Sequence, residues 1–255
     1  MLTKQFKSFT HTALATALLL GLSQNVLSHT RLEIPAGTEG VRITNNVVIG
    51  HSCGETGTTI ASSVVFPDGV DSIVNVNGAA SSDTIDMHVA NWGNNFQKVL
   101  DTGVFKAEDE KNDANGNVVG FYVKDGKMPN HYNAYLKFRA GAVLIEPTSC
   151  ASSVKIVLAI ADICKVTPIS RFSEETVNVW TPAVGSDYDG VGTGGYNSPA
   201  TYTVNRDLVN NPLPEGCSEA GDAVEIIPSA AQINRDMPIV VKGKRGEKVY
   251  WPKNQ

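Results

Sequence analysis

The sequence lacks the marks of several large functional classes. It contains no block of lysine or arginine and its formal net charge is −5, so nothing in it would neutralise a row of phosphates. The basic run at residues 242–248 is most simply a solvated turn. There is no Gly-x-Ser-x-Gly element, no P-loop and no Cys-x-x-Cys pair. These absences argue against a nucleic-acid partner, against nucleotide or serine-hydrolase chemistry, and against a zinc knuckle or thioredoxin-type site.

Long hydrophobic runs are also scarce. The apolar stretch Ala13–Leu22 follows two lysines and is too short to span a hydrocarbon layer of ~30 Å. It is typical of a signal peptide, which we place at residues 1–28, with cleavage after Ser28. Cleavage after Ser23 is the weaker alternative because it leaves Gly21 at position −3. We therefore predict a mature chain that begins at His29, has no membrane span, and is periplasmic or secreted.

Cysteine is sparse but even in number. The four cysteines all lie in the mature chain, and in an oxidising compartment this count predicts two disulfides. Four cysteines allow three pairings, and the pattern leaves them open, with a preference for Cys53–Cys164 and Cys150–Cys217. We assign all four a structural role.

Alternation with a period of two dominates the mature chain. In Thr84–Val89 and Tyr135–Arg139, apolar residues occupy one face and polar residues the other, which predicts half-buried antiparallel strands. The run Val154–Ile160 is more continuously apolar, with Lys155 as its one charged residue, and predicts a central strand. No long amphipathic helix is evident, and residues 216–236 could hold a short one at most. Many short strands separated by turn residues predict an all-β antiparallel sandwich.

The composition changes near residue 183, where a glycine-rich stretch begins. We therefore divide the mature chain into a β-sandwich domain at 29–183 and a glycine-rich loop with a β-rich extension at 184–255. The pattern does not decide whether the extension enlarges the first domain or forms a second one.

His29 is the first candidate for chemistry. A histidine at the mature N-terminus offers its α-amine and its imidazole as two nitrogen donors within one residue. Nitrogen donors suit copper, which stands at the top of the divalent affinity series. An α-amine has a reference pKa of about 7.7–8.0, so copper has only one loosely held proton to displace at neutral pH. These properties make copper the predicted cofactor.

His51 and Glu55 are the second candidates. They flank Cys53 in a segment between two strand-like runs, and a disulfide at Cys53 could hold a ligand within the narrow limits that metal selectivity needs. Taken alone, the same pattern also fits a turn beside a structural cystine.

The order of these motifs resembles the YcnI-like copper-binding family over residues 29–183. Members begin with a mature N-terminal histidine, a short strand and a proline, and some carry a His-Gly-Cys element before a threonine-rich strand. The matching stretches here are His29–Pro35, His51–Cys53, Thr58–Val70, Val119–Pro129, Leu136–Phe138, Ala159–Cys164 and Val179–Pro182. The family's tryptophan before a Gly-Gly turn is replaced by Tyr122.

The resemblance implies an immunoglobulin-like sandwich that binds one copper ion through the amine and imidazole of His29. A further side chain would complete the site, with a tryptophan nearby. In some relatives that ligand is a glutamate, and the matching stretch here offers both His51 and Glu55. Other candidates are weaker. We expect His88, on the outer face of its strand, and His131, in a turn, to be surface histidines. Asp113–Asn117 and Asp187–Asp189 lack the spacing of a calcium loop and are expected to be surface turns.

Three functions remain open from the sequence. The first is a copper-binding protein for copper acquisition, buffering or delivery, without catalysis, whose partner is a copper donor or acceptor protein in the cell envelope. The second is an enzyme like the copper-dependent polysaccharide monooxygenases, with His51 as a second histidine ligand. The 7% aromatic content gives little indication of a flat sugar-stacking face. The third is a metal-free adhesion or structural module.

Overall fold

The computed structural model describes residues 29–50, 53–54, 57–93, 95–182, 184–190, 198–243 and 246–253. Nineteen strands and one α-helix are assigned in these ranges. The strands are β1 (Arg31–Leu32), β2 (Ala36–Thr38), β3 (Ile43–Ile49), β4 (Thr58–Thr59), β5 (Ala61–Val65), β6 (Ile73–Val76), β7 (Ala79–Ala80), β8 (Phe96–Lys98), β9 (Ala107–Asn112), β10 (Val118–Lys124), β11 (Met128–Pro129), β12 (Ala134–Ala140), β13 (Ala151–Val157), β14 (Ala159–Ile163), β15 (Val177–Trp180), β16 (Thr201–Asn205), β17 (Asp222–Ile227), β18 (Ile239–Gly243) and β19 (Gly246–Trp251). The helix is α1 (Ala230–Asp236), and short 3-10 turns lie at Ile85–Met87 and Ile169–Arg171.

Three sheets enclose the main core. A four-stranded sheet has the order β1-β3-β12-β8, a five-stranded sheet β15-β14-β5-β10-β9, and a six-stranded sheet β2-β16-β13-β17-β6-β7. Pairing is antiparallel except for β13 with β17 and β16 with β2. The hydrophobic cluster between the sheets draws on all three. The predicted all-β sandwich, with mostly antiparallel pairing, is confirmed.

Four phenylalanines form the centre of that core. Phe66 stacks on Phe96 with ring centroids 4.0 Å apart, and both approach Phe138, while Phe121 lies 6.0 Å from Phe66. They come from strands or strand ends of the four-stranded and five-stranded sheets, so they join the two layers. Burying each such side chain contributes about 1.5–3 kcal/mol.

The five-stranded sheet is covered on both faces. Its second face packs against the C-terminal segment in a separate cluster whose members include Val65, Val179, Ile233 and Trp251. Each residue of β5, β14 and β15 is therefore buried. Strands buried on both faces are mostly apolar, and the polar residues that these three keep, such as Ser63, Asp162 and Asn178, are themselves buried.

The C-terminal residues thus take part in the same layers as the rest of the chain. Strands β16 and β17 flank β13 in the six-stranded sheet, and α1 and the β18–β19 hairpin lie on the five-stranded sheet. Helix α1 begins after Ser229, whose side chain accepts a hydrogen bond from the Gln232 amide as an N-cap. It is the short helix expected within residues 216–236.

Two local predictions need correction. The run Val154–Ile160 is not one strand: β13 ends at Val157 and β14 begins at Ala159, in another sheet. Leu158 makes the change, with its side chain fully buried and its N–H donating to the Ala200 carbonyl. Thr84–Val89 is not a strand either, because a 3-10 turn occupies Ile85–Met87.

Both predicted disulfides are present. Cys53 is bonded to Cys164 and Cys150 to Cys217, which is the preferred pairing. They join segments 111 and 67 positions apart in sequence. Such bonds are typical of proteins that fold in an oxidising compartment. Among the described residues, no helix is long and apolar enough to cross a membrane.

Candidate functional site

His29 lies against the five-stranded sheet at its β15 edge. Its ring contacts Trp180, the last residue of β15, with centroids 4.9 Å apart and planes inclined at 71°, an edge-to-face arrangement. His29 is half-buried and Trp180 is 4% exposed. The first described residue is thus held on one side by an aromatic wall.

The Nδ1 atom of His29 is buried and has no hydrogen-bond partner among the described residues. A buried ring nitrogen without a partner costs free energy unless something binds it. Nδ1 is also the ring nitrogen closest to the backbone nitrogen of the same residue. A metal ion held by both nitrogens would give Nδ1 the partner that it lacks. The donor atoms of His29 therefore fit copper, the predicted cofactor.

Asp162 fixes the chain on both sides of this contact. It lies in β14 and is fully buried. One carboxylate oxygen accepts hydrogen bonds from the Thr30 hydroxyl at 2.5 Å and the Trp180 indole N–H at 3.0 Å. The other oxygen accepts one from the Ser62 hydroxyl at 2.9 Å. Asp162 therefore positions both the residue that follows His29 and the ring that His29 contacts.

The sheet register explains this convergence. Asp162 is opposite Ser62 of β5 on one side and Asn178 of β15 on the other, and Ile160 is opposite Trp180. Burial raises the pKa of Asp162 to about 6, while the hydrogen bonds from Thr30, Ser62 and Trp180 act in the opposite direction. The carboxyl group is thus kept in place by three donors at a cost in desolvation.

The disulfide Cys53–Cys164 brings a second segment to the same end of β14. Cys164 lies two positions after Asp162, about 7 Å along an extended chain, and its Cα is 5.4 Å from that of Cys53. The loop at Gly54 is held further by a hydrogen bond to its carbonyl from the Asn130 side chain at 2.7 Å. The candidate ligands His51 and Glu55 each lie two positions from Cys53 in sequence but fall outside the described residues.

The remaining sequence candidates lie elsewhere. His88 is 8% exposed, so the expectation of a surface histidine was wrong: its ring bonds to Ser149 at 3.0 Å and Asp83 at 3.1 Å. The 3-10 turn before it rotates His88 inward, where a strand would have pointed it to solvent. His131 is exposed, as expected, and contacts Tyr132. Across the described parts of the chain, no three His, Cys, Asp or Glu side chains are grouped to hold a metal ion.

Sequence reasoning did not assign a role to Asp162, Thr30 or Trp180. A signal for Asp162 was present, since it is the one charged residue in the apolar run Ala159–Ile163. A carboxylate in a strand buried on both faces needs donors, and this predicts a polar network. Tyr122, which replaces the tryptophan of the resembled family, is buried under the C-terminal segment, and the aromatic partner of His29 is Trp180.

Comparison with known proteins gives little beyond this geometry. No family model matches the chain, and no curated protein matches it. Among solved structures, the chain is similar to an uncharacterized protein from Nocardia farcinica, whose structure is described as revealing an immunoglobulin-like fold. The identity is 10%, the TM-score is 0.35, and the match covers 69% of this chain and 96% of the other.

Proposed function

We propose that the chain is an exported copper-binding protein of the periplasm or extracellular space. It would acquire, buffer or deliver copper without catalysis. The α-amine and the Nδ1 atom of His29 would hold the ion once the signal peptide has been removed. The observation that carries the proposal is the buried, unpartnered Nδ1 beside Trp180. The ion would supply the bond that this nitrogen lacks.

The surroundings of His29 support selective binding. A ligand that can rotate binds weakly because binding must fix it, whereas Thr30 and Trp180 are both tied to Asp162. The wall formed by Trp180 also shields one side of the imidazole from water. His51 or Glu55 would add a further donor, because each lies two positions from Cys53 in sequence. The disulfide to Cys164 holds Cys53 at the end of β14.

A copper titration of the processed protein tests this proposal. We expect the intact mass to begin at His29 and to increase by one copper ion per chain. Because Cu(II) quenches nearby indoles, the fluorescence of Trp180 should fall in step with occupancy. A Trp180→Phe variant should keep the copper and lose most of the quenching.

Two variants separate the chelate from ordinary histidine binding. A chain that starts at Ser28 keeps the imidazole but converts the His29 amine into a peptide nitrogen, and its affinity should fall at least a hundredfold. His29→Ala should behave in the same way, while the matched control His131→Ala, at an exposed site, should bind as the wild type does. Equal binding by the Ser28-extended chain and the wild type would refute the proposal.

The non-catalytic part of the proposal needs its own measurement. The copper-loaded protein is incubated with a reductant, peroxide and either chitin or cellulose. We expect no oxidised oligosaccharides above the level given by the Ser28-extended chain. Their production by the wild type alone would assign the chain to the copper monooxygenases instead.

A further inference from the structure

A cleft lies at the end of the five-stranded sheet where β5 ends and β10 begins. Its volume is about 300 Å³, at the lower end of the range for small-molecule sites. Four segments form its walls: the turn after β5, the 3-10 turn at Ile85–Met87, the loop before β8 and the β9–β10 hairpin. The cleft is distinct from the His29 site, because Pro67 lies five positions beyond Ser62, about 17 Å along an extended chain.

The charge of the cleft excludes one class of ligand. The residues described as lining it include no lysine, arginine or histidine. Its polar side chains are three carboxylates and three amides, from Asp68, Asp86, Asp113, Asn95, Asn115 and Asn117. Asp68 is paired with the guanidinium of Arg235 at 2.5 Å, whereas Asp86 and Asp113 have no ion-pair partner among the described residues. Phosphate, sulfate or carboxylate groups would be repelled by these two carboxylates, so the ligand is neutral or cationic.

Two hydrogen-bond donors in the cleft lack partners. Asn95 is 7% exposed, and its side-chain nitrogen is buried without a hydrogen bond. Trp92 is half-buried, and none of the described residues accepts a hydrogen bond from its indole N–H. The absence of a side chain at Gly69 lets the ring approach closely, since a Cβ there would lie 3.2 Å from Cδ1 of Trp92. A buried amide donor without a partner indicates a missing acceptor.

One acceptor of the cleft, Asp86, is unpartnered as well. Asp86 is exposed, and its carboxylate makes no hydrogen bond or ion pair within the described chain. The carboxylate of Asp113, in contrast, accepts bonds from the backbone of Asn115 and from the backbone and side chain of Asn117. The carboxylate of Asp113 is thus occupied by the hydrogen bonds of its own turn.

The ligand must therefore accept hydrogen bonds from Asn95 and Trp92 and donate to Asp86. Hydroxyl groups do both, whereas a quaternary ammonium group has no acceptor for the two N–H groups. A ring with an apolar face would also cover the exposed part of the Trp92 indole. We infer that this cleft binds a neutral saccharide, with one sugar ring against Trp92 and its hydroxyls bonded to Asn95 and Asp86.

A binding experiment on the mature chain tests the inference. Glucose, galactose, mannose and N-acetylglucosamine are titrated one at a time, and binding is followed by saturation-transfer NMR and by tryptophan fluorescence. Trp180 and Trp251 are 4% and 0% exposed, so a fluorescence change would come mainly from Trp92. We expect at least one of the four sugars to bind saturably, with one site per chain.

Variants at the wall of the cleft decide whether this is the site. Asp86→Ala removes an exposed carboxylate and should weaken binding about tenfold, as expected for a lost hydrogen bond to a charged group. Trp92→Phe keeps a ring but removes the N–H and should weaken binding severalfold. The control Asp187→Ala, also at an exposed aspartate, and His29→Ala should bind the sugar as the wild type does.

Three results would overturn the inference. The first is that none of the four sugars binds. The second is that a sugar binds equally well to the wild type and to both cleft variants. The third is that choline binds in the cleft and the sugars do not. None of these results bears on copper binding at His29, so the two proposals stand or fall separately.

Discussion

The N-terminal and C-terminal segments are both attached to the five-stranded sheet, but through buried groups of opposite charge. Thr30 donates to the carboxylate of Asp162 in β14, whereas the C-terminal end of α1 accepts from the ammonium group of Lys111 in β9. In the first case the three donors to the buried charge are side chains. In the second case the partners of the charged group are acceptors, mainly the main-chain carbonyls of Asp236 and Met237.

The difference shows what each attachment does. Lys111 also bonds to Ser63 at 2.6 Å, so its three protons have three acceptors, two of them at the end of a helix where a positive charge is favourable. That arrangement holds a covering layer in place. Asp162 instead gathers three side chains, two of which adjoin His29, and so it organises a small site. The predictions below separate these two roles, beginning with the largest expected effect.

Removing either disulfide should destabilise the protein, but only one removal should affect copper. Cys53→Ala with Cys164→Ala, and Cys150→Ala with Cys217→Ala, should each lower the free energy of unfolding by about 4 kcal/mol, because both bonds close long loops. Only the first pair adjoins His51 and Glu55, so copper affinity should fall tenfold or more in that variant alone. Urea unfolding and copper titration measure the two effects, and equal copper affinities would contradict the assignment.

Asp162→Ala should lower the free energy of unfolding by about 3 kcal/mol, because it leaves the donors of Thr30, Ser62 and Trp180 buried without an acceptor. It should also weaken copper binding. Asp162→Asn keeps the shape and one acceptor, so its loss in urea unfolding should be smaller.

The pH dependence gives this prediction a second test. The pKa of Asp162 is about 6 in the folded protein, above the reference value of about 3.9. The contribution of the Asp162 carboxyl group to the free energy of unfolding is therefore full below about pH 4 and is lost as the pH rises through about 6. The Asn variant should lack that decline. If it kept the decline, another group would be responsible.

Lys111→Met should lower the free energy of unfolding by about 2 kcal/mol, since it leaves the Asp236 carbonyl without its donor, and should not change copper affinity. The matched control is Lys106→Met, which changes an exposed lysine five positions earlier in the sequence. It should have little effect. A loss of copper binding in the Lys111 variant would contradict the separation of the two attachments.

Lys111 should also produce a pH effect of the opposite sign. Burial lowers the pKa of its amine to about 7, although the charge of Asp236 acts against this. Between about pH 7 and pH 10 the unfolded chain then holds more protons than the folded one, so the free energy of unfolding rises with pH in that window. Comparison of the wild type with Lys111→Met across this range isolates the effect.

The smallest expected change is that of Trp180→Phe. It removes one hydrogen bond to Asp162 and keeps an aromatic ring beside His29, so the free energy of unfolding should fall by about 1 kcal/mol. Thermal unfolding measures it. A loss as large as that of Asp162→Ala would mean that the indole, and not the carboxylate, organises this attachment.

Alternation predicted part of the fold and not the rest, for physical reasons. Leu136 and Phe138 point inward in β12 as their spacing requires, because that strand has one buried face. The run Val154–Ile160 gives no hint of its division, because apart from the exposed Lys155 each of its residues is buried, including Leu158 between the two strands. A period of two predicts that His88 points outward, but the residues before it, Ile85–Met87, form a 3-10 turn and not a strand.

The sequence predicts the individual residues of the candidate site but not the contacts between residues that are far apart in the chain. The choice of His29 depends on the predicted cleavage after Ser28, and the pairing of Cys53 with Cys164 is one of three that four cysteines allow. The contact of His29 with Trp180 depends on how β14 and β15 pair, which no local pattern contains. No sequence pattern singles out Trp92 and Asn95, because their significance lies in the hydrogen-bond partners that they lack, and these can be recognised only in three dimensions.

Thr30 and the carboxylate that holds it are 132 positions apart in the chain. Under the proposed export, the segment of His29 would cross the membrane before β14 and β15 do. Its contacts with Asp162 and Trp180 would then form only after those strands had also crossed. On the proposed function, metal uptake would follow completion of the chain, so a copper donor would have to recognise the finished protein and not a chain still in passage.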